Sequence, residues 1–113
     1  MDILGAIGNT SMVRLQRMVP PQCADIFVKL EWENPTGSLK DRMAQAVISR
    51  AEADGRLEPG FTVIEYTGGS TGASLALVCT VKGYRLRIIS SDAFSGKAGS
   101  DGGVRGGADA DPE

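Results

Sequence analysis

A strand followed by a glycine-rich turn decides the fold of this 113-residue chain: Thr62-Val63-Ile64-Glu65-Tyr66-Thr67-Gly68-Gly69-Ser70-Thr71-Gly72. The β-branched and aromatic residues 62–66 predict the strand. The apolar run 73–82 after the turn predicts a helix that is buried on most faces and ended by Gly83. Residues 85–90 return as a second strand. A strand–helix–strand crossover of this length predicts that the two strands pair in parallel.

The residues before this segment extend the same pattern. Residues 26–30 predict another strand, and residues 39–54 predict an amphipathic helix ended by Gly55. Residues 7–15 are typical of a turn and a preceding strand. The predicted fold class is therefore α/β, with a βαβαβ arrangement and a parallel sheet. The expected apolar stripe of the helix 39–54 consists of Leu39, Met43, Val47 and Ala51, with Ala44 and Ile48 beside it.

Lys40 stands in an unusual position for a lysine. It follows the turn 34–39, whose proline and glycine suit a tight bend, and it opens the predicted helix. Ser38 is expected to cap this helix in a capping box with Asp41. The positive end of a helix dipole disfavours an ammonium group and favours the neutral amine, which is the form that acts as a nucleophile or Schiff-base former. We therefore predict a chemical role for Lys40, against the simpler alternative of a solvated surface lysine.

The glycine-rich turn at residues 67–72 can present backbone N–H groups to an anion. It is not a Walker A loop, because no lysine follows Gly72, and its spacing fails the dinucleotide fingerprint. It does match the G-x-S-x-G nucleophile elbow of serine hydrolases. The chain contains no histidine, so Ser70 would need another base, such as Lys40. An ordinary βα turn, in which glycine allows close packing, is the third interpretation.

Composition narrows the possible functions. Twelve basic side chains against 14 acidic ones leave no basic face for nucleic acid and no polybasic segment for a membrane surface. No run approaches the roughly 18 apolar residues of a transmembrane helix, and the first twenty residues do not resemble a secretory signal. Cys23 and Cys79 lie far apart, and Cys79 falls in an apolar helix, so a buried thiol is expected there. We expect a cytoplasmic protein without a metal site.

Two spaced motifs and a leader resemble the cysteine synthase and cystathionine β-synthase family, which are pyridoxal-phosphate enzymes of the tryptophan-synthase-β fold type. The motifs are Glu31-Trp32-Glu33-Asn34-Pro35-Thr36-Gly37-Ser38-Leu39-Lys40-Asp41-Arg42 and Glu65-Tyr66-Thr67-Gly68-Gly69-Ser70-Thr71-Gly72. The leader is Ile7-Gly8-Asn9-Thr10-Ser11-Met12-Val13-Arg14-Leu15, with serine at position 11 where the family usually has proline. The similarity runs from about residue 4 to residue 95.

The resemblance implies a role for each matching residue. Lys40 would hold pyridoxal 5'-phosphate covalently and, once the substrate displaces it, remove the α-proton. Thr67, Gly68, Ser70 and Thr71 would bind the α-carboxylate of a small amino-acid substrate. Ser70 would also contact the cofactor's 3'-oxygen, where the family commonly has the longer asparagine. Full-length relatives are expected to be homodimers.

The reaction implied by the resemblance is β-replacement, in which a serine derivative such as O-acetyl-L-serine reacts with sulfide to give L-cysteine. Serine with homocysteine, or a related dehydratase reaction, stays open. The resemblance also implies that the groups binding the cofactor phosphate and the pyridine nitrogen lie beyond residue 113. Weak or absent activity is therefore expected, and a non-catalytic remnant or a serine hydrolase using Ser70 are the alternatives.

Residues 96–113 differ in character from the rest of the chain. Six of these 18 residues are glycine and four are acidic, so we expect a disordered tail after a family-like segment 1–95. Codons compatible with this tail, read one base later, can restore helical periodicity and a Phe-Gly-Ala-Glu-like continuation. The sequence thus suggests a slipped reading frame near Ser95. Sequencing of the gene tests this, and the absence of an open downstream frame encoding the rest of the enzyme would refute it.

Overall fold

A computed structural model of the chain describes residues 1–90. Two 3₁₀ turns, four strands and two α-helices make up this region. In chain order they are the turn Ile3–Ala6, strand β1 (Met12–Arg14), strand β2 (Phe27–Lys29), the turn Glu31–Glu33, helix α1 (Lys40–Ala53), strand β3 (Thr62–Tyr66), helix α2 (Ser70–Lys82) and strand β4 (Arg85–Ile89).

The predicted parallel pairing of residues 62–66 with residues 85–90 is confirmed. β3 and β4 pair in parallel, with Thr62 opposite Arg85 and Tyr66 opposite Ile89. Beyond the end of β3, the Thr67 N–H continues the ladder by donating to the Ile89 carbonyl at 2.9 Å. This bond fixes the start of the glycine-rich turn at the carboxyl edge of the sheet. The α/β class is confirmed with it.

The strand predicted at residues 26–30 does not join the parallel sheet within residues 1–90. It forms β2, which pairs with β1 in a separate antiparallel ladder, with Met12 opposite Lys29 and Arg14 opposite Phe27. The amino-acid composition of residues 26–30 predicts an extended segment but does not identify the strand with which it pairs. β1 is the nearest strand along the chain, so closing the connecting loop costs less entropy than a longer-range pairing.

Helix α1 buries a different face from the one expected. Ala44 and Ile48 are buried, at 0% and 3% exposure, whereas Leu39 and Val47 are 54% and 53% exposed. The buried face begins at Asp41 and continues at Ala44 and Ile48, which is the i, i+3, i+7 spacing of one helical face. The predicted stripe was therefore wrong by part of a turn, because the packing partner of α1 selects the face. The core consists of Leu4, Ala44, Ile48, Leu75, Val78, Cys79, Tyr84 and Leu86.

The predicted helix ends are confirmed, and one predicted start is corrected. Gly55 and Gly83 take positive φ values of 70° and 80° after α1 and α2. Helix α2 begins at Ser70, three residues earlier than the apolar run indicated, so half of the predicted turn 67–72 is helical. Ser70 and Thr71 are polar, so a prediction based on apolar residues alone placed the helix start too late. The turn proper is residues 67–69.

Hydrogen bonds clamp α1 and α2 together near both ends. At the amino ends, Ser74 Oγ donates to Asp41 Oδ1 at 2.6 Å. At the carboxyl ends, Glu52 accepts from Lys82 Nζ at 2.7 Å and from the Tyr84 hydroxyl at 2.9 Å. The two helices therefore run in the same direction, and their amino ends lie side by side.

In the part of the chain that the structure describes, no helix is long and apolar enough to cross a membrane. Cys79 is buried and Cys23 is exposed, both as free thiols. Burial raises the pKa of the Cys79 thiol, as expected for a cysteine in an apolar helix. The tail predicted at residues 96–113 lies outside the described residues.

Candidate active site

The turn that leads to Lys40 is held from within by Asn34. Asn34 is buried at 3% exposure, and its amide group donates to the Glu31 carbonyl and to Glu31 Oε2, both at 2.8 Å. The side-chain oxygen of Asn34, Oδ1, accepts a hydrogen bond from the Gly8 N–H at 2.9 Å. This bond joins the leader, residues 7–15, to the turn. Gly37 takes a positive φ of 79°, as its place in the turn predicted. The turn at residues 34–39, called the lysine turn below, is therefore held in one conformation by hydrogen bonds.

Lys40 is the first residue of α1, as predicted, and it is partly buried. Its backbone N–H donates to Ser38 Oγ at 3.1 Å. Its amine makes no hydrogen bond or ion pair with any other group of residues 1–90. By contrast, Lys29 Nζ donates to the Thr10 carbonyl and Lys82 pairs with Glu52. Lys40 is therefore the lysine of the described region whose amine is available for chemistry.

The capping box expected between Ser38 and Asp41 is not formed. Ser38 accepts from the Lys40 N–H, but the Asp41 carboxylate does not return to Ser38. It accepts instead from the Thr36 N–H at 2.8 Å, from the Thr36 hydroxyl and from Ser74 Oγ. The reason is that Thr36 and Ser74 already occupy the carboxylate, and residue spacing within α1 could not reveal the partner on α2, which lies 33 residues away.

Asp41 is a buried carboxylate at 0% exposure. Burial acts to raise the pKa of the Asp41 carboxyl, but hydrogen bonds from Ser74 and Thr36 outweigh it and leave the pKa below its usual value. No lysine or arginine of residues 1–90 pairs with this carboxylate. It is stabilised by neutral donors alone.

The glycine-rich turn exposes a set of backbone donors. The Gly69 N–H donates to Thr67 Oγ1 at 3.3 Å, and the Gly72 N–H donates to the Gly69 carbonyl at 3.0 Å. The N–H groups of Gly68, Ser70 and Thr71 have no acceptor within residues 1–90. Unpaired N–H groups at the amino end of a helix suit an anion. The turn therefore offers what a carboxylate needs.

The hydrolase interpretation gains no support from the structure. Ser70 makes no side-chain hydrogen bond to Lys40 or to any other group of residues 1–90. A serine nucleophile needs a base within hydrogen-bond reach. What the structure brings together is the pair of helix starts that follow the two motifs, through the bond between Asp41 and Ser74.

A charged cluster fixes α1 to the leader. Arg42 Nε donates to Glu31 Oε2 at 2.8 Å, and Thr10 Oγ1 donates to Glu31 Oε1 at 2.7 Å. Hydrogen bonds from Arg42, Thr10 and Asn34 hold the pKa of the Glu31 carboxyl at about 2, well below its ordinary value of 4.5. The leader, the lysine turn and the first turn of α1 are thus joined at one carboxylate.

Because of this cluster, we expect the folded chain to lose stability in acid. Because the pKa of Glu31 is depressed in the folded chain, its contribution to stability is fully present above pH 4.5 and is lost as the pH falls towards about 2. Urea unfolding followed between pH 6 and pH 2.5 should show a steeper loss of stability in the wild type than in Glu31→Gln. Parallel curves for the two proteins would contradict the assignment. Glu58→Gln, an exposed carboxylate, should leave the wild-type curve unchanged.

Comparison with known proteins identifies the family. The family described as pyridoxal-phosphate dependent enzyme matches residues 3–100. The chain belongs to this family. It is 49% identical over 94 residues to a cysteine synthase of Staphylococcus aureus, which covers 83% of this chain and 30% of the relative. The chain therefore spans about 30% of the length of this relative.

Solved structures of the family agree with the fold. The cysteine synthase of Entamoeba histolytica superposes with a TM-score of 0.73 at 41% identity, over 80% of this chain and 28% of that one. An O-ureido-L-serine synthase superposes with a TM-score of 0.72 at 43% identity, over 84% of this chain and 33% of that one. The resemblance drawn from the two motifs and the leader is thereby confirmed, as is pyridoxal phosphate as the cofactor of the family.

The described residues fit the aldehyde-bearing part of pyridoxal phosphate. Such an aldehyde needs an amine that is not committed to other partners, and Lys40 provides one within residues 1–90. The serine hydroxyl at position 70 and the N–H groups of the turn can serve a cofactor oxygen or a carboxylate. Lys40, Ser70 and the turn are therefore the residues that could hold the cofactor and its substrate.

Sequence reasoning missed two residues that organise the site. Ser74 is fully buried in the otherwise apolar α2, and Thr36 lies in the lysine turn, and both donate to Asp41. A serine inside an apolar helical run is the signal that could have revealed the first, because a buried hydroxyl requires a partner. For Thr36 the sequence carries no such signal.

Proposed function

We propose that this chain provides the lysine and the carboxylate-binding turn of a cysteine synthase-like enzyme, which acts by β-replacement on O-acetyl-L-serine or a similar serine derivative to give L-cysteine. The hydrogen bond from Ser74 to Asp41 is the observation that carries the proposal. It sets the first turns of α1 and α2 side by side, and Lys40 and Ser70 open those turns. Ligands of open α/β sheets bind outside the carboxyl ends of the strands, which is where residue 67 follows β3.

Each residue of the proposed site has one task. Lys40 would hold the cofactor through Nζ and, once the substrate has displaced the amine, would take the substrate α-proton on the same atom. The N–H groups of Gly68, Ser70 and Thr71, with the hydroxyls of the turn, hold the α-carboxylate and so orient the α-carbon towards Lys40. Pyridoxal phosphate, when bound, supplies the electron sink for the charge that develops at that carbon. The Ser70 hydroxyl would also be available to hold the cofactor's 3'-oxygen.

Carboxylate recognition is tested by competition. O-acetyl-L-serine should displace pyridoxal phosphate from Lys40 at about a tenfold lower concentration than its methyl ester does, because hydrogen bonds to a charged carboxylate contribute about 1.5–3 kcal/mol. The measurement is the amount of cofactor that borohydride fixes to the Lys40 peptide, determined by mass spectrometry as either competitor is added.

Two variants sharpen the competition experiment. Thr71→Val removes a hydroxyl of the turn and should reduce the preference for the free acid, whereas Thr80→Val, on the exposed far part of α2, should not. Equal displacement by the acid and the ester in the wild type would contradict the proposed carboxylate site. It would leave cofactor attachment at Lys40 untouched.

Four expectations from the sequence are kept as predictions. We propose residues 1–95 as the enzyme-derived segment and residues 96–113 as a tail read in a shifted frame. We also propose that this chain is cytoplasmic and that its full-length relatives are homodimers. Turnover of O-acetyl-L-serine and sulfide by the isolated chain is expected to be weak or absent, and an assay of released cysteine tests this.

A further inference from the structure

A buried carboxylate lies directly beside the proposed catalytic lysine, and no step of the proposed reaction uses it. Asp41 is fully buried and follows Lys40 in the first turn of α1. Burying a carboxylate is costly unless hydrogen bonds replace its water. In residues 1–90 it is satisfied without a cation, by the backbone and hydroxyl of Thr36 and by the hydroxyl of Ser74.

The donors to this carboxylate come from both motifs. Thr36 belongs to the lysine turn, whereas Ser74 belongs to α2 and lies one helical turn after Ser70, on the same face. The Thr36 and Ser74 hydroxyls are themselves 3.4 Å apart, so the three side chains form one compact group. It joins the two segments of the site at their helix starts.

We propose that Asp41 is a positioning residue, whose carboxylate holds the Lys40-bearing turn of α1 in register with the α2 turn so that the amine is directed at the ligand bound there. The inference rests on the function proposed for Lys40. The bond from Ser74 ties this carboxylate to α2, and the two bonds from Thr36 tie the lysine-bearing turn to the same carboxylate, so the start of α1 is held against α2 at this point. Misplacing a reacting group by about 1 Å can cost a hundredfold in rate.

The experiment compares two lysines within each sample. The full chain is incubated with pyridoxal phosphate and reduced with borohydride, and the label on the Lys40 peptide is divided by the label on the Lys82 peptide. Asp41→Asn keeps the size of the side chain but places an amide donor among the donors of Thr36 and Ser74. We expect this ratio to fall about tenfold in Asp41→Asn. Asp54→Asn, an exposed carboxylate at the other end of α1, should stay within about twofold of the wild type.

Thermal melts and a second variant separate positioning from folding. Ser74→Ala removes one of the three bonds and should lower the ratio about threefold while the chain remains folded, and the two substitutions together should do little more than Asp41→Asn alone because they act on one group. If Asp41→Asn does not fold, Ser74→Ala decides the question by itself. A folded variant that labels Lys40 as the wild type does would overturn the positioning role. A wild type that labels Lys40 no more than Lys82 would refute the proposed function, and the positioning role with it.

Discussion

Replacement of Lys40 by alanine is expected to remove the main site of covalent pyridoxal phosphate attachment and leave only the weak background labelling of the other lysines. Its amine is free of hydrogen bonds and ion pairs within residues 1–90, whereas those of Lys29 and Lys82 are engaged. A committed ammonium group must give up its partner before it can react, so Lys40 should capture the aldehyde first. The visible absorbance that cofactor gains on attachment, followed during titration, measures this capture.

Two matched variants control for charge and for unspecific labelling. Lys40→Arg keeps the positive charge at the start of α1 but cannot form the attachment, so it should behave as Lys40→Ala does. Lys82→Arg, in the last turn of α2, should retain the wild-type signal. Equal loss in Lys40→Ala and Lys82→Arg, or persistence of the signal in both Lys40 variants, would contradict the assignment of Lys40.

Truncation of Ile48 to alanine is expected to destabilise the chain by about 2–5 kcal/mol. Ile48 is 3% exposed and lies in the core cluster with Leu75 and Val78 of α2. The loss comes from apolar surface no longer removed from water and from the cavity left behind. A domain of this size has a net stability of about 5–15 kcal/mol, so the variant should show a large fall in its urea midpoint.

Val47→Ala provides the matched comparison, because it changes the neighbouring position of the same helix. Val47 is 53% exposed, so its truncation should alter the free energy of unfolding by no more than about 0.5 kcal/mol. The comparison also tests which face of α1 is buried. A loss in Val47→Ala as large as that in Ile48→Ala would restore the stripe that apolar spacing predicted.

The elements of the fold could be predicted from local sequence, whereas their partners could not. Apolar runs and glycines predicted α1, α2, β3 and β4, because each of these elements is specified by residues close together in the sequence. The pairing of β2 with β1 and the buried face of α1 depend on contacts with segments distant in the chain. No periodicity within a single element contains that information.

The same division holds for the candidate site. Lys40 and the glycine-rich turn could be recognised because their residue types and order carry the chemistry. The group that joins them, Asp41 with Thr36 and Ser74, could not, because a carboxylate in the first turn of a helix is equally suited to capping its own helix. One of its donors, Ser74, lies 33 residues away on another helix.

The most direct test of the account is whether the lysine turn and the glycine-rich turn respond to one ligand together. Backbone amide resonances of the labelled chain, followed by NMR during titration with pyridoxal phosphate, measure this. We predict that the amides of Lys40, Gly68, Ser70 and Thr71 shift with the same half-saturation concentration and that none of them shifts in Lys40→Ala. A shift confined to residues around Lys40, with the glycine-rich turn unmoved, would contradict it.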